Sequence, residues 1–302
     1  MSKKKKIKIK VKKKNFIIFL VIILTILLCL IKSTTTVINL IKDNKEKKEV
    51  KEKKPTEKEI KLEKLNNIHK KINYFKDKNI DRYIDYKNNN KDLSLKQIIK
   101  NVNMNMDLKH YEDIFPATNL NELNILVNKH YYLEEDYIPN NLEEINTQYA
   151  LKGMKLVNVA KEAFEEMSAA ARKENLKIVA MSTYRDYNYQ ENLYNKYVKQ
   201  DGIEKADLYS GRPGFSEHQT GLAVDVYNGK ETYTNFHKTK EFTWMQEHAK
   251  EYGFILRYPE NKENETGYEY ESWHYRYVGI DIAKYINDNN ITYEEYCATK
   301  LN

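Results

Sequence analysis

Two short runs in the C-terminal half of the chain constrain its fold more than any other feature. One run extends from Ser216 to Asp225 and contains His218, and the other extends from Glu271 to His274. Two imidazoles and one carboxylate, with a fourth position left for water, are typical ligands of a catalytic zinc ion, whereas a structural zinc site closes with four protein ligands. We therefore predict that His218, Asp225 and His274 bind Zn²⁺, and the fold has to bring these three side chains together.

The spacing of the ligands predicts which secondary-structure elements carry them. His218 and Asp225 are seven residues apart, which excludes the i,i+4 helical arrangement of the His-Glu-x-x-His proteases. The spacing instead predicts a loop that carries His218, a turn or close backbone approach at Gly221, and a strand that delivers Asp225 on a rigid mount. For His274 to reach the same ion at roughly 2.0 to 2.2 Å, its own strand has to lie beside the strand of Asp225.

The periodicity of the apolar residues predicts interleaved helices and strands between residue 120 and the C-terminus. Helices are expected over 151–175, 188–199 and 239–252, with a last short helix opened by a capping box at Thr292 and Glu295. Strands are expected over 124–129, 177–183, 222–227, 254–258 and 274–278. Long βαβ units and a glycine-rich nucleotide turn are absent from this pattern. The sequence therefore predicts an α+β fold with a mixed or antiparallel central sheet flanked by helices.

Charge is distributed unevenly along the chain. The first 100 residues carry 29 Lys and Arg against 11 Asp and Glu, and the remainder carries 22 against 33, within a formal net charge of +7. A basic surface is the electrostatic footprint of nucleic-acid binding, but the part of this chain that holds the two runs is acidic. We therefore predict no nucleic-acid partner.

The N-terminus is predicted to anchor the chain in a membrane. Nine lysines precede an apolar run from Phe16 to Ile31, and sixteen helical residues cover roughly 24 Å of the ~30 Å hydrocarbon core. Residues up to Ile41 extend the helix. The lysine block is expected to stay in the cytoplasm, which places the rest of the chain outside. A cleaved signal peptide is the alternative, but no convincing small-x-small cleavage site follows the apolar run.

These patterns divide the chain into five predicted segments. They are a cytoplasmic basic tail (1–14), a transmembrane anchor (15–41), a charged linker (42–91), a segment that precedes the catalytic domain (92–119) and a zinc domain (120–302). The linker is dense in Lys, Glu, Asn and Asp, and such a composition indicates a solvated helix or an extended tether.

Three charged residues near the ligands are candidates for catalysis. Glu271 is positioned to accept a proton from water bound to the metal, or else to orient a ligand imidazole. Glu269 competes for the role of base because it lies two residues earlier. Arg185 suits the oxyanion that develops at a scissile carbonyl or a substrate carboxylate, and a structural ion pair is its alternative role.

Three longer motifs carry a resemblance to a known family. They are Ser182-Thr-Tyr-Arg185-Asp-Tyr-x-Tyr-Gln190, Ala206-Asp-x-Tyr-Ser-Gly-Arg-Pro-Gly-Phe-Ser216-Glu-His218-Gln-Thr-Gly-Leu-Ala-Val-Asp225 and Glu271-Ser-Trp-His274-Tyr-Arg-Tyr-Val-Gly279. In this order and spacing they resemble the VanY-type D-alanyl-D-alanine carboxypeptidases of the LAS group of zinc peptidases, to which the hedgehog signalling domain is distantly related. The resemblance covers residues from about 120 to the C-terminus. One departure is Ser272, because relatives commonly have proline there.

The resemblance implies a function and a role for each site residue. Zinc would be held by His218, Asp225 and His274, with Glu271 as catalytic base and Arg185 at the scissile carbonyl or oxyanion. Two further positions match residues near the substrate: Ser216 and Gln190. The implied substrate is a peptidoglycan stem peptide, from which a terminal D-alanine is removed.

Two alternatives remain open at this stage. The first is an L,D-carboxypeptidase that trims tetrapeptide stems, because pocket residues outside the motifs decide which bond is cut. The second is a non-catalytic zinc-bearing domain that binds the cell wall. Neither the motifs nor the composition indicates an oligomeric state.

Overall fold

The computed structural model describes residues 67–68 and 71–301, and these described residues fall into two compact units that divide between Val102 and Asn103. The predicted basic tail, the predicted membrane anchor and the first part of the predicted linker lie outside the described residues. Within the described ranges, no helix is both long and apolar enough to cross a membrane.

In the first unit, a small apolar cluster forms where the sequence predicted the end of a charged linker. Helix α1 (Ile80–Asn89) and helix α2 (Leu95–Asn103) follow a 3₁₀ turn at Asp77–Asn79. Their buried side chains and those that precede them are Tyr74, Phe75, Tyr83, Ile98, Ile99 and Val102. Ser94 begins α2 with a reciprocal capping box, because its Oγ accepts from the Gln97 backbone N–H while its own N–H donates to the Gln97 side chain. The aromatic side chains of this segment are buried in the cluster, although Lys and Asn dominate the local composition.

The second unit contains eight strands and seven helices among the described residues. The strands are β1 (Phe115–Pro116), β2 (Tyr131–Tyr132), β3 (Leu142–Glu144), β4 (Lys155–Val157), β5 (Val179–Ser182), β6 (Ala223–Tyr227), β7 (Phe254–Leu256) and β8 (His274–Tyr277). The helices are α3 (Asn158–Lys173), α4 (Tyr187–Asp201), α5 (Ile203–Tyr209), α6 (Lys240–His248), α7 (Glu263–Thr266), α8 (Ile280–Asn289) and α9 (Tyr293–Lys300). Short 3₁₀ helices lie at Glu217–Thr220, Tyr233–Lys238 and Ala249–Tyr252.

A four-stranded antiparallel sheet forms the centre of the second unit. Its strand order is β5-β6-β8-β7. The two other pairs, β1 with β2 and β3 with β4, form separate two-stranded sheets. The predicted α+β class with an antiparallel central sheet is confirmed for the described residues.

Helix α3 packs its apolar stripe against this sheet. Four of its apolar residues are fully buried: Ala160, Phe164, Met167 and Ala171. They share a core cluster with Val224 and Val226 of β6, and the rings of Phe164 and Phe254 meet edge to face at 6.1 Å between centroids. Burial of this apolar area stabilises one face of the sheet and holds its strands in register.

Two boundaries differ from the sequence prediction. Residues 124–129 form turns and irregular backbone rather than a strand, and the pairing strand is instead Tyr131–Tyr132. The first long helix begins at Asn158 and not at residue 151, because Gly153 adopts a positive φ of 84° and β4 pairs with β3 before the helix starts. The helical spacing of apolar residues therefore begins before the first residue of the helix.

Candidate zinc active site

Strand register brings two of the predicted ligands face to face. Asp225 of β6 lies directly opposite His274 of β8 in the antiparallel pair, so both side chains project from the same face of the sheet. The Nδ1 atom of His274 lies 2.9 Å from Oδ1 of Asp225, and Nε2 of His218 lies 3.2 Å from Oδ2 of the same carboxylate. The three potential ligand atoms are within 4.8 Å of one another, and all three residues are buried. The prediction that the strand of His274 lies beside that of Asp225 is confirmed.

The turn that carries His218 is shaped by a glycine. Gly221 has a φ of 67°, and a Cβ at this position would lie 2.9 Å from a methyl group of Leu142. A side chain here would therefore strain the backbone and clash with β3. The carbonyl of His218 also accepts a hydrogen bond from the backbone N–H of Arg185 at 3.3 Å, which ties the turn to the segment after β5. The predicted close approach at Gly221 is confirmed.

The donor set fits a zinc ion. Nδ1 of His218 lies 2.6 Å from the carbonyl oxygen of Thr183, so this nitrogen donates and the lone pair of Nε2 faces the site. Tetrahedral ligands at the usual zinc distances are separated by roughly 3.3 Å, close to the two contacts with Asp225. Two imidazole nitrogens and one carboxylate oxygen, with a fourth side open to a cleft, match a catalytic rather than a structural centre.

Burial and neighbouring charges set the protonation of the ligands. Burial, together with the charge of Arg185, lowers the pKa of His218 to about 4, so its imidazole is neutral as a metal ligand requires. Burial alone would raise the pKa of Asp225, but His218 and His274 hold it well below its usual value. Burial opposes charge on His274 too, yet hydrogen bonds to Asp225 and Glu217 raise its pKa to about 9. A metal that binds Nδ1 of His274 therefore displaces a proton.

Glu271 lies at the wall of the site with the properties of a general base. Its backbone N–H donates to the carbonyl of Tyr258 at 3.1 Å, and its Oε2 lies 3.7 Å from Nδ1 of His274. Burial raises the pKa of the Glu271 carboxyl to about 8. A carboxyl whose pKa is near neutrality can both take up and return a proton, as general acid–base catalysis requires. Glu269 lines the same cleft but is exposed to solvent.

Arg185 places a guanidinium beside the ligands. It follows β5, and its Nη1 donates to Oγ of Ser182 at 3.2 Å and lies 3.8 Å from Oδ2 of Asp225. The side chain keeps 18% of its surface exposed, so the fixed positive charge faces the cleft as well as the carboxylate. The predicted proximity to the metal ligands is thus observed, with an ion-pair contact to one of them.

A cleft of about 500 Å³ opens over the ligands and is rich in aromatic side chains. Tyr197 and Tyr209 meet edge to face on α4 and α5 with ring centroids 5.1 Å apart, and Tyr233 and Trp273 do the same at 4.9 Å. These rings give the cleft apolar walls around a charged floor, an arrangement typical of a small-ligand site.

The two predicted substrate-binding residues occupy different places. Ser216 lines the cleft next to the ligand turn. Gln190 is buried and its amide donates to the carbonyl of Gly211 at 2.7 Å and to Oγ of Ser210 at 3.4 Å. The structure therefore brings Ser210 and Gly211 to the cleft lining, with Gln190 beneath them as their support.

Sequence reasoning overlooked two residues that contact His274. The ring of Tyr258 lies 4.8 Å from the imidazole, and the buried carboxylate of Glu217 lies 3.5 Å from its Nε2 atom. One signal was present in the sequence: Arg257 and Arg276 lie within or beside apolar strand patterns, and a charged residue in a buried strand requires a partner. Both arginines contact Glu217.

Comparison with known proteins agrees with this geometry. A family model described as VanY, D-alanyl-D-alanine carboxypeptidase, matches residues 153–280. The putative carboxypeptidase YodJ of Bacillus subtilis (strain 168) is 40% identical over 197 residues, which cover 63% of this chain and 72% of YodJ. The structure of the LD-carboxypeptidase LdcB is similar with a TM-score of 0.58 and 39% identity, covering 63% of this chain and 92% of that one.

A third relative was solved with the metal. It is a mutant of the vancomycin-resistance D,D-pentapeptidase VanY from the VanB-type cassette in complex with Zn(II), with a TM-score of 0.50 and 30% identity over 57% of this chain and 97% of that chain. This chain belongs to the VanY family of carboxypeptidases. It is a zinc-dependent carboxypeptidase whose metal site is formed by His218, Asp225 and His274, which removes the alternative of a non-catalytic zinc domain.

Proposed function

We propose that this carboxypeptidase removes the terminal D-alanine from peptidoglycan stem peptides. The observation that carries the proposal is the buried His-Asp-His site with Glu271 and Arg185 beside it at the floor of an aromatic cleft. Relatives that act on D-alanyl-D-alanine or recognise peptidoglycan support this substrate class.

The proposed division of labour follows from the positions of the side chains. Zinc, when bound, supplies a Lewis acid for the attacking water and the scissile carbonyl. Glu271 takes the proton of the attacking water and passes it to the leaving amine, because its pKa near neutrality suits both steps. Arg185 stabilises the negative charge that develops on the carbonyl oxygen, and its contact with Ser182 holds the guanidinium in place.

A D-alanine stands at the end of both the pentapeptide and the tetrapeptide stem, and hydrolysis of the bond before it defines one candidate activity for each stem. The first candidate is the D,D bond of pentapeptide stems, supported by the family model and by the D,D-pentapeptidase VanY. The second is the L,D bond of tetrapeptide stems, supported by the higher identity and TM-score of LdcB. The cleft has a volume of about 500 Å³, which is larger than one terminal alanine residue. Its size is therefore compatible with both candidate activities.

The two candidates differ in a direct assay. Purified full-length protein loaded with zinc is incubated with a pentapeptide stem and separately with a tetrapeptide stem, and released D-alanine is measured. The D,D candidate predicts that the pentapeptide is cut once and that the resulting tetrapeptide accumulates. Faster release from the tetrapeptide would replace it by the L,D candidate.

Metal removal and substitution test the zinc dependence. A chelator is expected to abolish release of D-alanine, and added Zn²⁺ is expected to restore it. His274→Ala is expected to lose both bound zinc and activity. Release of D-alanine by the chelated protein would contradict the proposed mechanism for either bond.

We further propose that the chain is a single-pass membrane protein with its catalytic unit outside the cytoplasm, where peptidoglycan lies. The nine lysines and the following apolar run from Phe16 to Ile31 support this placement. Protease added to intact cells is expected to digest the catalytic unit, and it is expected to spare the unit if the placement is wrong.

A further inference from the structure

Four charged side chains form a closed network beside His274, and one of them, Glu217, also lines the cleft. They are Glu217, Arg257, Arg276 and Glu294, and at most 2% of any of them is exposed. Oε1 of Glu217 accepts from Nε of Arg257 and from Nη1 of Arg276, each at 2.8 Å. Arg257 also donates to both carboxylate oxygens of Glu294, at 2.8 and 2.5 Å. Two carboxylates and two guanidiniums balance in charge, which is the condition for burying all four.

The remaining oxygen of Glu217 faces the zinc ligand. Its Oε2 lies 3.5 Å from Nε2 of His274, whereas Nδ1 of the same imidazole faces Asp225. An imidazole that binds a metal through one nitrogen usually donates from the other nitrogen to a carboxylate or carbonyl, and this contact sets its tautomer and orientation. Thr183 performs this role for His218. Glu217 occupies the equivalent position for His274.

The backbone holds the network in place. Arg276 donates to the carbonyls of Tyr277, Leu123 and Ile125 at 3.0, 3.1 and 2.8 Å. The N–H of Arg257 donates to the carbonyl of His274 at 3.1 Å. Because both arginines are fixed by such contacts, the carboxylate of Glu217 is fixed as well. A carboxylate held in this way resists rotation of the imidazole that it contacts.

We propose that Glu217 is the positioning residue of the zinc ligand His274: it accepts the proton on Nε2 and so keeps Nδ1 directed at the metal. The proposal rests on the zinc site and is independent of which peptide bond is hydrolysed. Glu294 completes the charge balance from helix α9 without contacting the imidazole.

Glu217→Gln tests the proposal through metal binding. The two guanidiniums bind the amide oxygen, so the amide N–H₂ turns toward Nε2 of His274 and opposes its N–H. Zinc affinity, measured on the full-length protein by competition with a chromophoric chelator, is expected to fall by about 10–100-fold. The visible spectrum of the Co²⁺-substituted protein is expected to change, because it reports the geometry of the ligands.

Glu294→Gln is the matched control. It also removes one buried carboxylate beside Arg257 but has no contact with His274, so zinc affinity and the Co²⁺ spectrum are expected to stay as in the unchanged protein. Equal losses of zinc affinity in both variants would overturn the proposal and assign Glu217 to the fold alone. Unchanged zinc affinity in Glu217→Gln would overturn it too.

A second variant covers the case in which Glu217→Gln does not fold. The double substitution Glu217→Gln with Arg276→Gln removes one charge of each sign, so the buried network stays neutral. The proposal predicts that this variant still binds zinc about 10–100-fold more weakly, because the acceptor for Nε2 is missing. Recovery of the affinity of the unchanged protein would show that charge imbalance, and not orientation of His274, caused the loss.

Discussion

The cleft side and the network side of His274 each contain a buried glutamate, and the two carboxyls behave in opposite ways. Glu271, on the cleft side, has its pKa raised to about 8 by burial. Burial acts in the same direction on Glu217, but Arg257 and Arg276 outweigh it and hold the pKa of that carboxyl far below its usual range. Residue type and burial are shared, so the paired cations account for the difference.

This difference separates a reactive carboxyl from a structural one. Among the residues that the structure describes, no Lys or Arg side chain lies at hydrogen-bond distance from the Glu271 carboxyl, and the nearest imidazole nitrogen is 3.7 Å away. The carboxyl of Glu271 can therefore bind and release a proton. Glu217 has two guanidiniums at 2.8 Å, so it stays ionised and serves as a fixed acceptor. The same site thus contains a carboxyl that exchanges protons next to one that orients a ligand.

The largest expected effect is a difference in stability between two equivalent substitutions. In zinc-free protein, Glu217→Gln is expected to lower the free energy of unfolding by about 3–5 kcal/mol, because it leaves two guanidiniums buried with one partner carboxylate fewer. Glu271→Gln is expected to leave it nearly unchanged at pH 7, because a buried carboxyl with a pKa of about 8 is already mostly protonated and neutral at that pH. Denaturant unfolding of the full-length chain measures both, and equal losses would contradict the contrast.

The second prediction concerns catalysis on the cleft side. Glu271→Gln is expected to lower kcat by about 10²–10⁴-fold, the usual contribution of a general base, while bound zinc is retained. Metal content and initial rates of D-alanine release measure the two effects. Glu269→Gln is the control, since this carboxylate lines the same cleft but is exposed. A large loss of kcat in the control with none in Glu271→Gln would transfer the role of base to Glu269.

Arg185→Lys is expected to have a somewhat smaller effect on the same side. The ammonium keeps the charge but loses the planar fork, so kcat is expected to fall by about 10²–10³-fold with zinc affinity unchanged. Arg212→Lys serves as comparison, because Arg212 pairs with Asp207 through two hydrogen bonds and is absent from the cleft lining. Similar rates for the Arg185→Lys variant and the unchanged protein would show that Arg185 acts only in a structural ion pair and not in catalysis.

The smallest expected effect comes from the far end of the network. Thr292 caps α9, the helix of Glu294, by accepting from the N–H of Glu295 at 3.1 Å. Thr292→Ala is expected to lower the free energy of unfolding by about 1 kcal/mol. Because this change leaves the cleft side untouched, kcat is expected to stay the same. A large fall in kcat would show that the two sides are more closely linked than the contacts indicate.

Much of the fold could be predicted from the sequence, because the apolar residues that form local patterns are the ones that the tertiary structure buries. Strand β6 and helix α3 have long apolar patterns, and both were predicted. The capping box at Thr292 also marks a helix start that the structure contains. The prediction failed over residues 124–129, where apolar residues pack into the core from irregular backbone. Burial there does not require a strand, and apolar content alone does not distinguish the two.

The site was predictable to the extent that its chemistry lies in short motifs. The metal ligands stand in such motifs, and they converge in the structure. Glu217 stands in one of these motifs as well, yet it was overlooked because a lone glutamate is most often solvated. Its partners are 40 and 59 residues away along the chain. Pairing over such distances has no local signature in a single sequence.

The sequence by itself determined the donor set, the order of the motifs and the period of the main strands, since these depend on residue types and short spacings. Only the tertiary structure decided that Asp225 stands opposite His274, that Gln190 lies beneath the cleft, and which glutamate keeps its charge. The physical reason is that register and ionisation depend on neighbours from distant parts of the chain. Those neighbours are in place only once the sheet and the helices around it have packed together.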